Sequence, residues 1–268
     1  MPFPIAPGGR IPAPGIIKIQ ARAMTYAVGF LLEQGLVFAA DSRTNAGVDQ
    51  VSVARKITAF EKPGERFMVL LSSGNLAITQ AVIRQLQEDL ETGNDGDLHA
   101  TPTMFAAARI VGAALRNVYE VDAEYLAEQG LEFNAAFVFG GQVDGGEARL
   151  FMIYSAGNFI EASLETPYLQ IGETKYGKPI IDRTITFESS IDQAVKCSLL
   201  SFDSTMRSNI SVGPPIDIVT YERGSLRAGM QIHLEENDPY LSRIREYWGG
   251  ALRQAFQDMP DPDWLTRA

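Results

Sequence analysis

Segments of this sequence that read as strands and segments that read as helices come in blocks: strands, two helices, strands, two helices, strands and a final helix. Strict β-α alternation builds a parallel sheet, because parallel neighbours need a long crossover, whereas consecutive strands joined by short turns pair antiparallel. The grouping predicts an α+β fold: two antiparallel sheets packed face to face, with helices outside. A length of 268 residues suits one large domain better than two.

The first strands are the most regular. Tyr26, Val28, Phe30 and Leu32 alternate with Thr25, Ala27, Gly29 and Leu31, a period of two with one bulky and one mostly small face. Glu33-Gln34-Gly35 reads as a three-residue turn, and Leu36 to Ala40 return. That turn pairs Leu32 with Leu36, and counting outward sets Ala27 opposite Asp41 and Thr25 opposite Arg43. Thr25, Asp41 and Arg43 would then share the small-residue face. The inference hangs on turn length, because a slip of one residue sends every side chain to the other face.

Lys56 to Phe60 and Arg66 to Ser72 read as strands around the turn Lys62-Pro63-Gly64-Glu65. Asn75 can cap a helix running to about Leu90, and Thr101-Pro102 opens a second one towards Leu126. Strands follow at Phe133–Phe139 and Ala148–Tyr154, near Phe159, and at Tyr168–Ile171. Helices are expected at about Lys178–Asp182 and Ser190–Met206, then strands at Ile216–Tyr221 and Leu226–Leu234. A helix from about Pro239 to Gln257 finishes the chain.

Composition narrows the function. A net charge of −10 argues against a nucleic-acid partner, which needs a basic footprint. No apolar run approaches the roughly 20 residues that span a bilayer, so no membrane is expected. One cysteine, Cys197, excludes an intramolecular disulfide framework and suits a reducing cytoplasm. Residues 1–24 differ from the rest, with five prolines, three glycines and no acidic residue. They read as an extension of one of three kinds: a propeptide, an artificial or mis-assigned start, or an arm used in assembly. The second is favoured, because Met24 immediately precedes Thr25 and small residues after methionine permit its excision. Residues 25–268 then form a single domain.

Thr25 carries the chemistry. A threonine at a chain start joins a hydroxyl nucleophile to an α-amine whose reference pKa, about 7.7–8.0, suits a proton acceptor. The hydroxyl is too weak an acid to ionise at neutral pH, so a nearby cation must favour the developing alkoxide, and Lys56 is the candidate. Asp41 can hold Lys56 and keep it charged. The oxyanion of the tetrahedral intermediate needs a donor, and Gly74, in Ser72-Ser73-Gly74-Asn75 at a strand-to-helix junction, can offer its backbone N–H. Each residue also has a plain structural reading: a strand threonine, a surface Asp41–Arg43 ion pair, a solvated lysine, a turn glycine.

The runs Thr25-Tyr26-Ala27-Val28-Gly29, Phe38-Ala39-Ala40-Asp41-Ser42-Arg43, Arg55-Lys56-Ile57 and Ser72-Ser73-Gly74 closely resemble the start of proteasome-type β subunits. Asp41-Ser42-Arg43-Thr44-Asn45-Ala46-Gly47-Val48-Asp49 and Ile171-Gly172-Glu173-Thr174-Lys175-Tyr176-Gly177-Lys178-Pro179 resemble segments of the bacterial Anbu (ancestral β subunit) group. The resemblance covers roughly Thr25 to Tyr221. It implies an N-terminal-nucleophile hydrolase, a proteasome β-subunit-like four-layer α-β-β-α sandwich. It further implies peptide-bond hydrolysis through an acyl-enzyme on Thr25, with Asp41 and Lys56 in support and Gly74 at the oxyanion. Arg43 would help to fix the charge network. No metal or organic cofactor is implied. The implied partners are a peptide or protein substrate and further copies of the chain, in a ring or open helical ring; the sequence contains no docking motif for an ATPase. A non-peptidase amidase of the same fold and a non-catalytic assembly subunit are the alternatives.

The chain departs from the family pattern in three places. Lys56 lies one residue closer to Asp41 than usual. The family's later supporting serine and aspartate-serine-glycine cluster correspond to Glu173–Gly177 and Asp203–Asn209, which do not match cleanly, leaving Asp203 or Ser208 to serve. Gly172 to Lys178 matches a phosphate-loop spacing, but Pro179 stands where a magnesium-binding hydroxyl belongs and Glu173 would oppose phosphate, so the match is set aside. His99 and His233 lack partners at metal spacing. The stripe Tyr240, Leu241, Ile244, Tyr247, Trp248, Leu252 and Phe256 on the last helix reads as core, with part of it available to a neighbouring subunit.

Overall fold

The computed structural model describes residues 25–45 and 51–265. The extension expected over residues 1–24 lies outside them, as do residues 46–49 of the Asp41–Asp49 motif. The elements run β1 (Tyr26–Leu32), β2 (Gly35–Asp41), β3 (Arg43–Asn45), β4 (Val51–Val53), β5 (Ile57–Lys62), β6 (Arg66–Gly74), α1 (Leu76–Thr92) and α2 (Met104–Glu128). They continue with β7 (Ala135–Val143), β8 (Arg149–Ile153), β9 (Phe159–Glu161), β10 (Tyr168–Gly172), α3 (Thr174–Thr184), α4 (Ile191–Ser208), β11 (Ile216–Glu222), β12 (Gln231–Leu234) and α5 (Pro239–Gln257). One five-stranded sheet has the order β10-β1-β2-β11-β12 and the other β5-β6-β7-β8-β9, and every pairing in both is antiparallel.

Three apolar layers hold the sandwich together. Ala27, Leu31, Phe38, Phe67, Val69, Leu150 and Tyr221 fill the space between the sheets. Tyr26, Val28, Phe30, Val37 and Ala39 face the opposite way, against Ile181 of α3 and Cys197 and Phe202 of α4. Met68, Leu70 and Phe137 of the second sheet pack under α1 and α2. β1 and β2 are therefore buried on both faces, which explains their nearly unbroken apolar sequence. Each large side chain so buried contributes on the order of 1.5–3 kcal/mol. The expected α+β architecture of two antiparallel sheets flanked by helices is the one observed.

The β1–β2 turn differs from expectation. It has two residues, Glu33 and Gln34, and Leu32 pairs with Gly35 rather than Leu36. Gly35 belongs to β2 because, at φ 150°, it lies against the Tyr221 carbonyl, where a side chain has no room. The register therefore shifts by one: Ala27 faces Ala40, and its continuation sets Thr25 across from Ser42 instead of Arg43. Arg43 pairs with Val53 in the small β3–β4 ribbon, which the sequence reading missed because strands of three residues carry too little periodicity.

Other boundaries move less. Asn75 caps α1 as expected, its side chain accepting from the Ala77 amide. α2 starts two residues late, capped by Thr103 rather than opened by Thr101-Pro102. α3 begins at Thr174, not near Lys178, and carries Pro179 inside its first turns. β12 starts at Gln231 rather than Leu226. α5 spans Pro239–Gln257, as read from the sequence.

Candidate active site

At one end of the inter-sheet layer, the end of β2 meets the start of β5. Asp41 is wholly buried and Lys56 nearly so. Lys56 Nζ donates to Asp41 Oδ1 at 2.9 Å and to the Arg43 carbonyl oxygen at 2.7 Å, which uses two of the three ammonium donors. Lys56 is presented here by the sheet opposite to Asp41, because its carbonyl takes the Ser72 amide just before β5 pairs with β6. Burial works against both charges. It pushes the Asp41 carboxyl up to about 6, opposed by Lys56 and by the Tyr26 and Gly213 amides, and it pushes Lys56 below its ordinary value, opposed by Asp41. Asp41 Oδ2 makes no hydrogen bond of ordinary geometry.

The same carboxylate touches the peptide that joins Thr25 to Tyr26. Asp41 Oδ1 accepts from the Tyr26 backbone N–H at 3.1 Å, so one oxygen grips both Lys56 and the amide that follows Thr25. Thr25 is buried, and its carbonyl oxygen takes the Glu173 amide at 2.7 Å. On the helix side the Tyr26 hydroxyl donates to Ser201 Oγ at 3.0 Å and accepts from Gln170 Nε2 at 2.6 Å, which locks the residue after Thr25 from α4 and β10. Gly172 ends β10 against Thr25: a Cβ there would stand 1.8 Å from the Thr25 carbonyl oxygen and 3.3 Å from Ser73 Oγ. Its φ of +82° is a second reason for glycine at this position.

Gly74 closes β6 immediately after Ser73, with φ +115° and its Cα so close to the Asn134 carbonyl that a Cβ would lie 2.3 Å from that oxygen. Asp41 is thus bonded directly to Lys56 and to the Tyr26 amide that follows Thr25, and the Ser72–Gly74 segment adjoins this group through the Lys56 carbonyl and Gly172. Arg43 takes part differently from expectation. Its carbonyl, not its charge, serves Lys56; its guanidinium turns outward over Gly213, donating to the Ile210 carbonyl at 3.2 Å and approaching Glu236 at 4.0 Å.

Asp203 does not join the group: Arg207 at 3.3 Å and Arg245 at 3.0 Å take its two oxygens and clasp α5 to α4. Ser208 ends α4 as an exposed residue. Neither fills the place of the supporting residues. Sequence reasoning gave no role to Ser42 or Gly172 and looked to Glu173–Gly177 only for a supporting serine; Gly172 and the Glu173 amide adjoin Thr25, and Ser42 follows Asp41. The available signal was the position of Gly172 between a strand and a helix, in the very segment dismissed as a phosphate loop. Among the described residues no group of three or more His, Cys, Asp or Glu side chains is disposed to hold a metal ion, and no helix is long and apolar enough to cross a membrane.

No family model matches the chain, and no curated protein matches it either. Solved structures do. Anbu from Hyphomicrobium sp. strain MC1 is 48% identical, with 89% of this chain and 99% of that chain covered at a TM-score of 0.82. Anbu (ancestral beta-subunit) from Yersinia bercovieri is 44% identical over 89% of this chain and 99% of that one, with a TM-score of 0.83. The helical assembly of the Anbu complex from Pseudomonas aeruginosa is 43% identical over 88% and 98%, with a TM-score of 0.82.

Proposed function

The chain belongs to the Anbu (ancestral β-subunit) family, and from that premise we propose that it is a threonine peptidase working from Thr25 as its first residue. The observation that carries this reading is the single Asp41 oxygen shared by Lys56 and the Thr25–Tyr26 peptide, which brings cation and nucleophile residue together in a buried site.

The α-amine of Thr25 takes the proton of its hydroxyl, directly or through a water, as the oxygen attacks the scissile carbonyl. The third donor of Lys56 favours the developing alkoxide. Asp41 keeps Lys56 charged and aimed, while the Arg43 carbonyl completes its grip. The Gly74 N–H stabilises the oxyanion, in a place where only glycine fits. Collapse breaks the C–N bond, the leaving amine takes the proton from the α-ammonium, and an ester remains on Thr25. Water, deprotonated by the same α-amine, then hydrolyses the ester and restores the hydroxyl.

Residues 25–268 constitute the working domain in this reading. The relatives are covered almost completely whereas 88–89% of this chain is, so the chain carries residues that those chains lack. Self-assembly fits the surface. The apolar stripe of α5 packs on the body of the domain through Leu241 and Ile244, then runs on through Leu252 and Phe256 to Met259 and Trp264, all exposed. The Pseudomonas aeruginosa relative forms a helical assembly. A cytoplasmic setting suits the lone buried thiol of Cys197.

Mass spectrometry of the protein made in its native host tests the premise of a free amine, and Thr25→Ala tests the nucleophile. The expected results are a mature chain starting at Thr25, hydrolysis of unstructured peptides by the wild type, and no turnover by an assembled Thr25→Ala variant. An N-terminus upstream of Thr25, or retained turnover in the variant, overturns the reading.

A further inference from the structure

A line of hydrogen bonds leaves the site through Ser42 and ends at the surface. Ser42 Oγ donates to Asp217 Oδ2 at 2.5 Å, the other Asp217 oxygen meets His233 Nδ1 at 2.6 Å, and His233 Nε2 meets Glu235 Oε1 at 3.1 Å. Ser42 is wholly buried, while the His233 side chain is 40% exposed. Asp217 and His233 are direct cross-strand partners on β11 and β12. The order of the groups matters. The carboxylate stands between the hydroxyl and the imidazole and accepts from both, so His233 cannot take the Ser42 proton. This is an anchor, not a second nucleophile.

What it anchors is the support of Lys56. The Ser42 amide donates to the Pro215 carbonyl at 2.7 Å and its own carbonyl accepts from the Ala54 amide at 2.9 Å. Its two chain neighbours supply both oxygens that hold Lys56 Nζ, Asp41 Oδ1 on one side and the Arg43 carbonyl on the other. Any rotation of the Ser42 backbone moves both acceptors together. The β1–β2 ladder ends at Ala27 and Ala40, so Thr25 and Ser42 each lie two positions beyond it, at the same end of the hairpin.

We propose that Asp217 is a positioning residue for the Thr25 site, acting through Ser42, with His233 bracing Asp217 from the edge strand. The role rests on the threonine-peptidase reading above. If the network only stabilised the sheet edge, its loss would lower the melting temperature and leave the rate at Thr25 alone.

The test uses the full mature chain beginning at Thr25 and a peptide β-lactone. The Thr25 oxygen attacks the lactone carbonyl, the ring C–O bond breaks, the ring oxygen takes up the proton, and intact mass records the whole probe added. Ser42→Ala and Asp217→Ala are each expected to slow labelling about tenfold, as a sub-ångström displacement of a catalytic cation does. The double variant should be no slower than either single one, because both remove the same link. Asp217→Asn, which keeps an oxygen for Ser42, should recover to within about threefold, and peptide hydrolysis should lose kcat with KM within about twofold. Labelling at the wild-type rate in Ser42→Ala, or multiplicative slowing in the double variant, overturns the proposal. If Asp217→Ala fails to fold, Ser42→Ala, which deletes one hydroxyl, decides the matter alone. A wild type that is never labelled at Thr25 overturns the peptidase reading itself, and this role with it.

Discussion

The two ends of the inter-sheet layer both bury polar groups and treat them in opposite ways. At the far end Gln142 of β7 has partners on both its polar atoms: its oxygen accepts from the Tyr221 hydroxyl at 2.7 Å and the Gly224 amide at 2.8 Å, while its nitrogen donates to the Gly146 carbonyl at 2.7 Å. Tyr221 stacks on Phe67 at 4.9 Å, and every partner there is neutral. At the near end Asp41 and Lys56 are charged, burial drives the pKa of each towards neutrality, and Asp41 Oδ2 is left without an ordinary hydrogen bond. A satisfied neutral network specifies packing at little risk, whereas an under-satisfied charged pair costs stability and persists where chemistry needs it. The contrast sets a packing network against the end where the proposed mechanism places the chemistry, within one pair of sheets.

The sharpest way to break that contrast is Lys56→Met. It removes the cation and leaves Asp41 buried with the Tyr26 amide as its remaining strong donor. Peptidase kcat/KM should fall about 100- to 1,000-fold, the scale of losing a preorganised charge at the reacting oxygen. Stability at pH 8 should fall by about 3–5 kcal/mol, the usual cost of stranding one partner of a buried pair. Chemical denaturation and peptide hydrolysis on the same preparation check both. A variant with near-wild-type turnover would show the pair to be structural.

A second, smaller effect follows from Asp41 itself. Its carboxyl takes up a proton at about pH 6, above the ordinary carboxylate range, so the folded protein binds that proton more readily than the unfolded chain. Its contribution to stability is therefore fully present below the ordinary carboxylate pKa and is lost as pH rises through about 6. In the proposed mechanism activity runs the other way, because the ionised form of Asp41 holds Lys56. A free α-amine on Thr25, as proposed, would already impose one acid limb, from a reference pKa of about 7.7–8.0. Below about pH 6 the fall in kcat/KM should steepen from first to second order in protons, and in Asp41→Asn it should stay first order at a lower overall rate. A pH–rate profile with no steepening in the wild type would remove Asp41 from the working set.

Much of the near end was legible in the chain, for reasons that differ from residue to residue. Alternation revealed β1 and the turn chemistry of Asn75 revealed α1, because both are local signals. The convergence of Asp41 on Thr25 was expected for a reason that fails: with a two-residue turn their side chains have opposite parity along the hairpin. They meet because the Asp41 carboxylate reaches the Tyr26 amide at the strand end, beyond the regular ladder. Asp217 and Gly172 were out of reach, since each comes to Thr25 or its neighbours through pairing with a strand more than 140 positions away in sequence. Asp203 misled for the same kind of reason: its partner Arg245 lies on another helix.

The smallest effect is the one that tests the other end. Gln142→Ala leaves the Tyr221 hydroxyl and the Gly224 amide without their shared acceptor, a loss of about 1–3 kcal/mol for buried donors left unpaired. Because Gln142 lies at the opposite end of the layer from Lys56, turnover at a temperature where the variant stays folded should remain within about twofold of wild type. Thermal unfolding and peptide hydrolysis measured side by side separate the two quantities. A loss of kcat comparable to that of Lys56→Met would mean that the inter-sheet layer transmits strain from end to end, so that the neutral network would have to count among the groups that set the geometry of Thr25.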